Sequence, residues 1–530
     1  MRKFHSYEEV DKDIHYYVPR EELINKAYNS LLGEEPEKGG HYITVWGPRQ
    51  SGKTWVMREV VDKLKLSNDF EVVILTMQSS EITTEKAVLE LLVDGLTHWF
   101  RRDFPRVDSW KELELLFSEK NFSKPLILIL DEFDSIGQEF INKFATEFRR
   151  LYTSRMNERH KPSDEKWCRL HSLALIGVRS VLGIENVSGS PFNVQRSMPI
   201  PNLTYEEVDS MFHWYERESG QTVEQVVIDQ VFYETQGQPG LVGWLGEQLT
   251  EDRFNKERTK PIDLPFFENV YGAALHILPN NNILNLISKA KQEPYKEVVL
   301  ELFNTKKKMS FSYDDELLNY LYMNGVVSWE QEKIGKYYAK FPCPFVQQRI
   351  FNAFARNMFR HIIQVYDPFD DLSDTITDNS LNVANLMRRY ETYLRQNREW
   401  LLKDAPRRKT DDRIMEATYH FNLYLYLQSF FYDYDSLIHP EFPTGNGKID
   451  LIIKHGSQTY GLEVKSFSGQ RGYDKALIDA AKYGKQLALA EISLIFFCEH
   501  ITDENRKKYE KQYQDVTTGV IVEPVFVVIG

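Results

Sequence analysis

The stretch Gly47-Pro48-Arg49-Gln50-Ser51-Gly52-Lys53-Thr54 decides the fold. It stands between a β-rich run, Tyr42–Trp46, and a segment with helical periodicity, Lys53–Leu66. A glycine-rich turn there aims its backbone N–H groups at phosphates on a helix N-terminus. Gly47 and Gly52 allow the backbone conformations, and Pro48, Arg49, Gln50 and Ser51 line the cradle. Lys53 reaches the β- and γ-phosphates, and the Thr54 hydroxyl ligates Mg²⁺. The reading is a P-loop with ATP and Mg as its cofactors.

Working outward, strands alternate with helices. Glu71–Met77 reads as a strand, Glu85–Phe100 as a helix, Pro125–Leu130 as a strand, Ile141–Met156 as a helix and Ser172–Val178 as a strand. The alternation predicts βαβ units and a parallel sheet. The run Pro125–Leu130 is apolar throughout, as a strand buried on both faces requires. It ends in Asp131-Glu132. A carboxylate at the end of such a strand suits the Mg²⁺ shell, which assigns Asp131 to cofactor and metal binding. Glu132 is placed to orient and deprotonate the attacking water. Asp134 is a weaker candidate for the same acidic site and reads first as a helix cap before Ile136.

These residues resemble AAA-like ATPases of the broader ASCE and STAND type. The loop Gly47–Thr54 and the pair Asp131-Glu132 carry the resemblance. Softer support comes from Tyr16-Tyr17-Val18-Pro19-Arg20, from Ser190-Pro191-Phe192-Asn193-Val194, and from Gly237-Gln238-Pro239. The last is similar to the GxP turn that contacts nucleotide in STAND lids, which implies Pro239 as a cofactor-binding residue. The fourth-strand sensor is open between Arg179 and Ser180. No arginine finger is assigned among Arg149, Arg150 and Arg169, which read first as ordinary helix arginines. Assembly into a homo-oligomer is expected.

The middle of the chain turns helical. Thr204-Tyr205-Glu206-Glu207 and Thr222-Val223-Glu224-Gln225 read as capping boxes. Two helices near Tyr295–Phe303 and Asp314–Asn324, then a hairpin from Gly325–Trp329 and Tyr337–Phe341, suggest a winged helix. The acidic stretch Asp367–Asp378 reads as a linker and Leu381–Lys403 as a helix. The expected domains are a P-loop core at 1–202, a helical lid at 203–283, a winged-helix-like domain at 284–366, a linker helix at 367–410 and an α/β domain at 411–530.

The last segment holds a second constellation. Asp450-Leu451-Ile452-Ile453 and Tyr460-Gly461-Leu462-Glu463-Val464-Lys465 are strand-like runs joined by Lys454-His455-Gly456-Ser457. Alternation puts Glu463 and Lys465 on one face. Asp450 on the neighbouring strand approaches that face. Two carboxylates offer oxygen ligands for Mg²⁺, and a lysine beside them stabilises developing negative charge. This looks like the PD-(D/E)XK nuclease fold. The resemblance implies Asp450, Glu463 and Lys465 as catalytic residues, Asp450 and Glu463 being also metal ligands. It further implies Glu416 on the preceding helix as an extra metal-binding acid and Gln486 on the following helix, beside Lys482 and Tyr483. Ile449 stands where the family's nominal proline would be.

The 530 residues exceed one core, and a net charge of −13 excludes a uniformly polyanion-binding surface, so DNA contact needs local patches. Lys306-Lys307-Lys308 and Arg407-Arg408-Lys409 are the basic runs, each reading first as a solvated loop. The aromatics Tyr419, Tyr424, Tyr426, Phe430, Phe431, Tyr432 and Tyr434 read first as core and second as base-stacking groups. Three scattered cysteines suit a reducing cytosol. The N-terminus has no apolar signal region, and no apolar run reaches the ~18 residues a membrane span needs. A cytoplasmic location follows. The function expected is an ATPase controlling a Mg-dependent DNA endonuclease, in a defence or mobile-element setting. The alternative is a STAND-like switch whose last domain binds without cutting; a translocase is a third reading.

Overall fold

The structure is a computed structural model. It describes residues 1–7, 10–78, 84–177, 195–303, 308–359, 365–366, 370–401, 403, 405–407, 414–434, 436–441, 450–467 and 469–529. Arg179, Ser180, Ser190–Val194, Lys306, Lys307, Arg408 and Lys409 lie outside the described residues, as do the side chains of Glu416 and Asp450. The chain divides into two compact units, residues 1–282 with 322–325, and residues 283–321 with 326–530.

The first unit runs α1 (Glu21–Leu32), β1 (Tyr42–Trp46), α2 (Lys53–Lys65), β2 (Glu71–Thr76), α3 (Glu85–Phe100), α4 (Leu113–Leu116), β3 (Leu126–Asp131), α5 (Gln138–Asn157), β4 (Leu170–Gly177) and β5 (Gln195–Pro199). The strands form one parallel sheet in the order β2-β3-β4-β1-β5. Two cores cover it. One packs α3 and α5 with Leu126, Leu128 and Leu130; the other packs α1 and α2 with Ile127 and Ile129. Alternate residues of β3 thus serve opposite faces, which is why the sequence there is apolar without a break. Asp131 ends β3 and Trp46 ends β1, so the Asp131-Glu132 pair and the P-loop emerge at the same C-terminal edge.

Four helices follow in the stretch expected to form the lid: α6 (Tyr205–Ser219), α7 (Gln225–Thr235), α8 (Pro239–Thr250) and α9 (Leu264–His276). Thr204 and Glu207 form the expected capping box of α6. The second expected box is absent. Residues Val223 and Glu224 pair with Ile262 as extended chain, and α7 starts after Glu224 with no side-chain cap.

The second unit contains most of α10 (Asn281–Lys291), then α11 (Tyr295–Leu302), most of α12 (Glu316–Met323), β6 (Ser328–Lys333), β7 (Lys336–Lys340) and α13 (Pro344–Met358). The helix–helix–hairpin order is the one read from sequence. Ser310 bridges β7 on the side away from β6. After β8 (Ile376–Thr377) and β9 (Ser380–Leu381) come α14 (Val383–Leu401), α15 (Glu416–Phe430), β10 (Ser436–Glu441), β11 (Asp450–His455), β12 (Gln458–Ser466), α16 (Gln470–Gln486), β13 (Glu491–Cys498), α17 (Asp503–Tyr509), β14 (Tyr513–Gln514) and β15 (Ile521–Val528). The sheet order is β10-β11-β12-β13-β15-β14, with β12, β13 and β15 parallel.

Helix α14 is not a linker. Its buried Leu386, Met387, Tyr390 and Leu394 make it part of this domain's core. Arg388 donates to the Phe526 carbonyl at 2.6 Å, and the Tyr390 ring meets Phe497 at 6.3 Å. The acidic stretch before it is likewise tied down: Arg389 bonds Asp374 at 2.7 Å and the Asp371 carbonyl at 2.8 Å. Helix α15 is buried nearly all round, with Phe421 among Phe303, Phe351 and Phe354. Tyr419, Tyr424, Tyr426, Phe430 and Phe431 are therefore core, and base stacking by them is excluded by burial; Tyr432 is exposed.

Candidate functional site

The P-loop begins where β1 ends. Gly52 has φ +86°, a left-handed conformation that glycine takes without a Cβ penalty, and it is the N-cap of α2. Gln50 has φ +58° although it carries a side chain. Lys53 opens α2, and its Nζ donates to the carbonyls of Gly47 at 2.8 Å and Pro48 at 2.7 Å. Burial pulls the Lys53 ammonium down to about 8; Asp134, Glu132 and Asp131, in that order, act against the shift. Ser51 is buried and Arg49 exposed, while Thr54, beside Lys53, is half-buried.

Opposite the lysine stand three carboxylates. Asp131 is buried, and one of its oxygens accepts the Glu132 N–H at 2.8 Å. Glu132 has φ +52°. Its carboxyl is held above the usual range by burial first, then by Asp131 and Asp134. Asp134 is not a cap. It lies in a short 3-10 turn, Phe133–Ile136, with its carboxylate against Gly177 at the end of β4, where a Cβ would stand 2.8 Å from Oδ1. The weaker reading of Asp134, as a third acid beside Asp131 and Glu132, is the one that its interaction with Lys53 and Glu132 favours over the cap. Hard oxygen donors suit Mg²⁺. Thr54 and Asp131 are of that class, and Asp131 is buried at the strand end with only one oxygen engaged by Glu132.

The turn that opens α8 meets the loop directly. Gln238 Nε2 lies 3.1 Å from the Arg49 carbonyl and 3.3 Å from that of Gln50, and the Gly240 N–H donates to Gln50 at 3.1 Å. Pro239, expected at the nucleotide, is the first residue of α8, between the two residues that grip the loop. Two residues of the segment before α1 are fixed by the surroundings of the loop, Tyr17 on Trp55 directly after Thr54 and Arg20 on the chain beyond β5. Arg20 is buried and donates to the Pro201 and Asn202 carbonyls at 2.7 and 3.0 Å, and Tyr17 packs on Trp55. Of the arginines weighed as fingers, Arg150 is held by Glu147 and Glu114, Arg169 is buried beside the Asp164 carbonyl, and Arg149 is exposed.

The second constellation is assembled in register. Asp450 pairs with Glu463 across the antiparallel strands β11 and β12. Glu463 is 2% exposed, and Lys465 Nζ makes an ion pair with its carboxylate. Asp479 of α16 lies 4.0 Å from Lys465; sequence reading did not single it out. Gln486 is not brought there. It is the exposed last residue of α16, seven positions beyond Asp479, which is about 10 Å along a helix. Tyr483 is buried and Lys482 exposed, so the three do not share a face. Glu416 begins α15. Among the described residues no group of three or more His, Cys, Asp or Glu forms a metal-binding cluster. Lys308 is engaged by Glu330 and Glu332 at 3.4 and 3.3 Å. Among the described residues no helix is long and apolar enough to cross a membrane.

Residues 43–175, from β1 into β4, match the family model "ATPase family associated with various cellular activities (AAA)". No curated protein matches the chain. Solved structures that resemble it include a Walker-type ATPase of Pyrococcus abyssi, 15% identical, covering 66% of this chain and 98% of its own, TM-score 0.41. The Aeropyrum pernix ORC2 protein, in ADPNP–ADP complexes, is 13% identical over 64% of this chain and 96% of its own, TM-score 0.38. The Aeropyrum pernix ORC1 protein in complex with DNA is 15% identical over 65% and 94%, TM-score 0.33.

Proposed function

We propose that the AAA ATPase domain at residues 43–175 controls a Mg-dependent DNA endonuclease formed by the last α/β domain. One observation carries the nuclease half of this reading: Asp450 and Glu463 are cross-strand partners, with Lys465 two residues on and paired to Glu463. On the Glu463 side, β12 is paired with the apolar, buried strand β13. Divalent metal, when bound, polarises the phosphodiester and lowers the pKa of a water. Glu463 and Asp450 are the oxygen donors of the right class to hold it. Lys465 supplies a fixed positive charge for the developing oxyanion.

In the ATPase half, the backbone N–H groups of residues 47–54 and the Lys53 ammonium bind phosphate. Thr54 and Asp131 are the donors for the nucleotide's Mg²⁺. Glu132, held by its αL backbone beside Asp131, accepts the proton of the attacking water. The lid residues Gln238, Pro239 and Gly240 close on the loop. DNA is the substrate, and further copies of the chain are the partners.

Plasmid incubated with Mg²⁺, with and without ATP, tests both halves. Wild type nicks it; Asp450→Ala does not; Lys53→Ala loses ATP hydrolysis and the ATP dependence of nicking. Equal nicking by wild type and Asp450→Ala removes the nuclease. A second reading, a switch whose last domain binds DNA without cutting, is favoured by the burial of Glu463 against Lys465. Retention of plasmid without nicking, unaffected by Asp450→Ala, decides for it.

A further inference from the structure

Gln50 is the one phosphate-loop residue held at once by the lid and by the N-terminal segment, among the described residues. Its Nε2 donates to the Ser6 carbonyl at 2.7 Å. Its own carbonyl accepts the Gly240 N–H at 3.1 Å and Gln238 Nε2 at 3.3 Å. A non-glycine residue at φ +58° persists only where its surroundings over-determine it. These three bonds are that determination.

The surface of α8 that receives these groups is a groove made by glycines three residues apart. Gly240 takes the Gln50 side chain; a Cβ there would stand 2.5 Å from the Gln50 Cβ. At Gly243 a Cβ would overlap the His5 carbonyl, and at Gly246 it would overlap the Phe4 ring. Residues 1–7 therefore lie along α8 as a strap that ends on the loop. Phe4 is 2% exposed, 4.7 Å from the Phe212 ring and 5.0 Å from the Tyr16 ring. Arg2 bonds Glu218, and Trp244 donates to the Tyr7 hydroxyl at 3.0 Å.

We propose that Gln50 is a positioning residue that couples the seating of this strap in the α8 groove to the affinity of the phosphate loop for ATP. The proposal rests on the ATP-binding reading of the loop. Lys53 is turned onto the Gly47 and Pro48 carbonyls, which it must leave to meet phosphates. That rearrangement involves the backbone to which Gln50 belongs, three residues away. A seated strap holds Gln50 in its left-handed conformation and so preorganises the loop. Coupling between two sites is reciprocal: if the strap raises ATP affinity by a factor, ATP stabilises the seated strap by that factor.

Full-length protein tests this by two measurements, ATP affinity by calorimetry and amide hydrogen exchange of residues 2–6 with and without ATP. In wild type, ATP slows strap exchange about tenfold. Gly243→Ala, which obstructs the groove away from the loop, weakens ATP binding by the same factor, about tenfold. Gln50→Ala leaves the strap exchanging equally with and without ATP. Two results overturn the proposal: Gly243→Ala binding ATP as wild type does, or ATP protecting the strap as much in Gln50→Ala as in wild type. If Gly243→Ala does not fold, the exchange experiment on Gln50→Ala decides alone. Lys53→Ala separates the underlying reading. Wild type and Lys53→Ala binding ATP equally would sink the loop assignment, whereas loss of binding in Lys53→Ala with ATP-insensitive strap exchange in wild type sinks the coupling only.

Discussion

Asp450 and Glu463 stand directly opposite one another in the antiparallel pair β11–β12, and Lys465 closes on Glu463 from two residues along the same strand. Register is strongly specified here, because Leu451, Ile453, Leu462 and Val464 are buried between them and beyond. A one-residue slip would turn every one of these side chains to the other face.

The first prediction follows from that register. Asp450→Asn and Glu463→Gln each remove one oxygen donor's charge, and each is expected to reduce Mg-dependent plasmid nicking by at least 100-fold, on the order of losses for a key transition-state contact. ATP hydrolysis should be unchanged in both. Nicking of supercoiled plasmid and phosphate release, measured on the same preparations, check it.

The second prediction concerns Lys53. Its ammonium, pulled down to about 8, loses its proton above that pH, while the unfolded chain keeps its proton to about 10.5. The folded protein therefore binds fewer protons than the unfolded one between pH 8 and 10.5. The burial penalty is present in full below about pH 8 and is relieved as pH rises. Phosphates favour the charged lysine, so ATP binding above pH 8 must take up a proton. Calorimetry in buffers of different ionisation enthalpy should show uptake near zero at pH 7 and approaching one proton at pH 9. Lys53→Met should show none at either pH.

The third prediction separates the three acids. Glu132 is raised by burial and then by Asp131 and Asp134, so its ionisation sets an acid limb in kcat above the ordinary glutamate range. ATPase activity should rise as pH rises through that limb. Asp134→Asn removes a neighbouring negative charge and should move the limb to lower pH. Arg49→Ala removes a positive charge that favours ionised Glu132 and should move it higher. Glu132→Gln should bind ATP yet hydrolyse it about 100- to 10,000-fold more slowly, the range general-base catalysis supplies. Steady-state kcat against pH for the four proteins is the measurement.

The ATPase core was legible because its signals are local. Tyr42–Trp46 and Glu85–Phe100 begin and end where composition places them. The unbroken apolar run before Asp131 was decisive for the same reason. What escaped the sequence depends on tertiary partners. Strand β10 contains Pro440 and β15 contains Pro524, residues that argue against strands. Each is tolerated for want of a neighbour: β10 is an edge strand, and β14 covers only Ile521 and Val522 of β15. The span 367–410 reads as a linker helix because it opens on an acidic, Pro- and Ser-containing stretch, yet the apolar stripe Leu386, Met387, Tyr390 and Leu394 of α14 is buried and the helix packs on β15. Gln486 was placed by its spacing from Tyr483, but the helix presents Asp479 to Lys465 instead. No spacing argument reveals which turn of a helix crosses a strand.

The last prediction addresses what holds the second unit together. Phe421 on α15 is fully buried, its ring 4.7 Å from Phe351 and 5.5 Å from Phe303. It joins α11 and α13 to the helix that backs the C-terminal sheet. Phe421→Ala deletes a whole ring where surrounding aromatics are fixed by their own neighbours, so the cavity cannot collapse. The expected loss is about 3–5 kcal/mol for that unit. Because the first unit has its own core, its unfolding should be unaffected. Denaturation followed by two probes checks this: ATP binding for the first unit, and hydrogen exchange of α15 and β13 for the second. Loss of α15 protection at lower denaturant with ATP binding retained is the expected result. A simultaneous shift of both transitions would mean that the two units do not unfold independently.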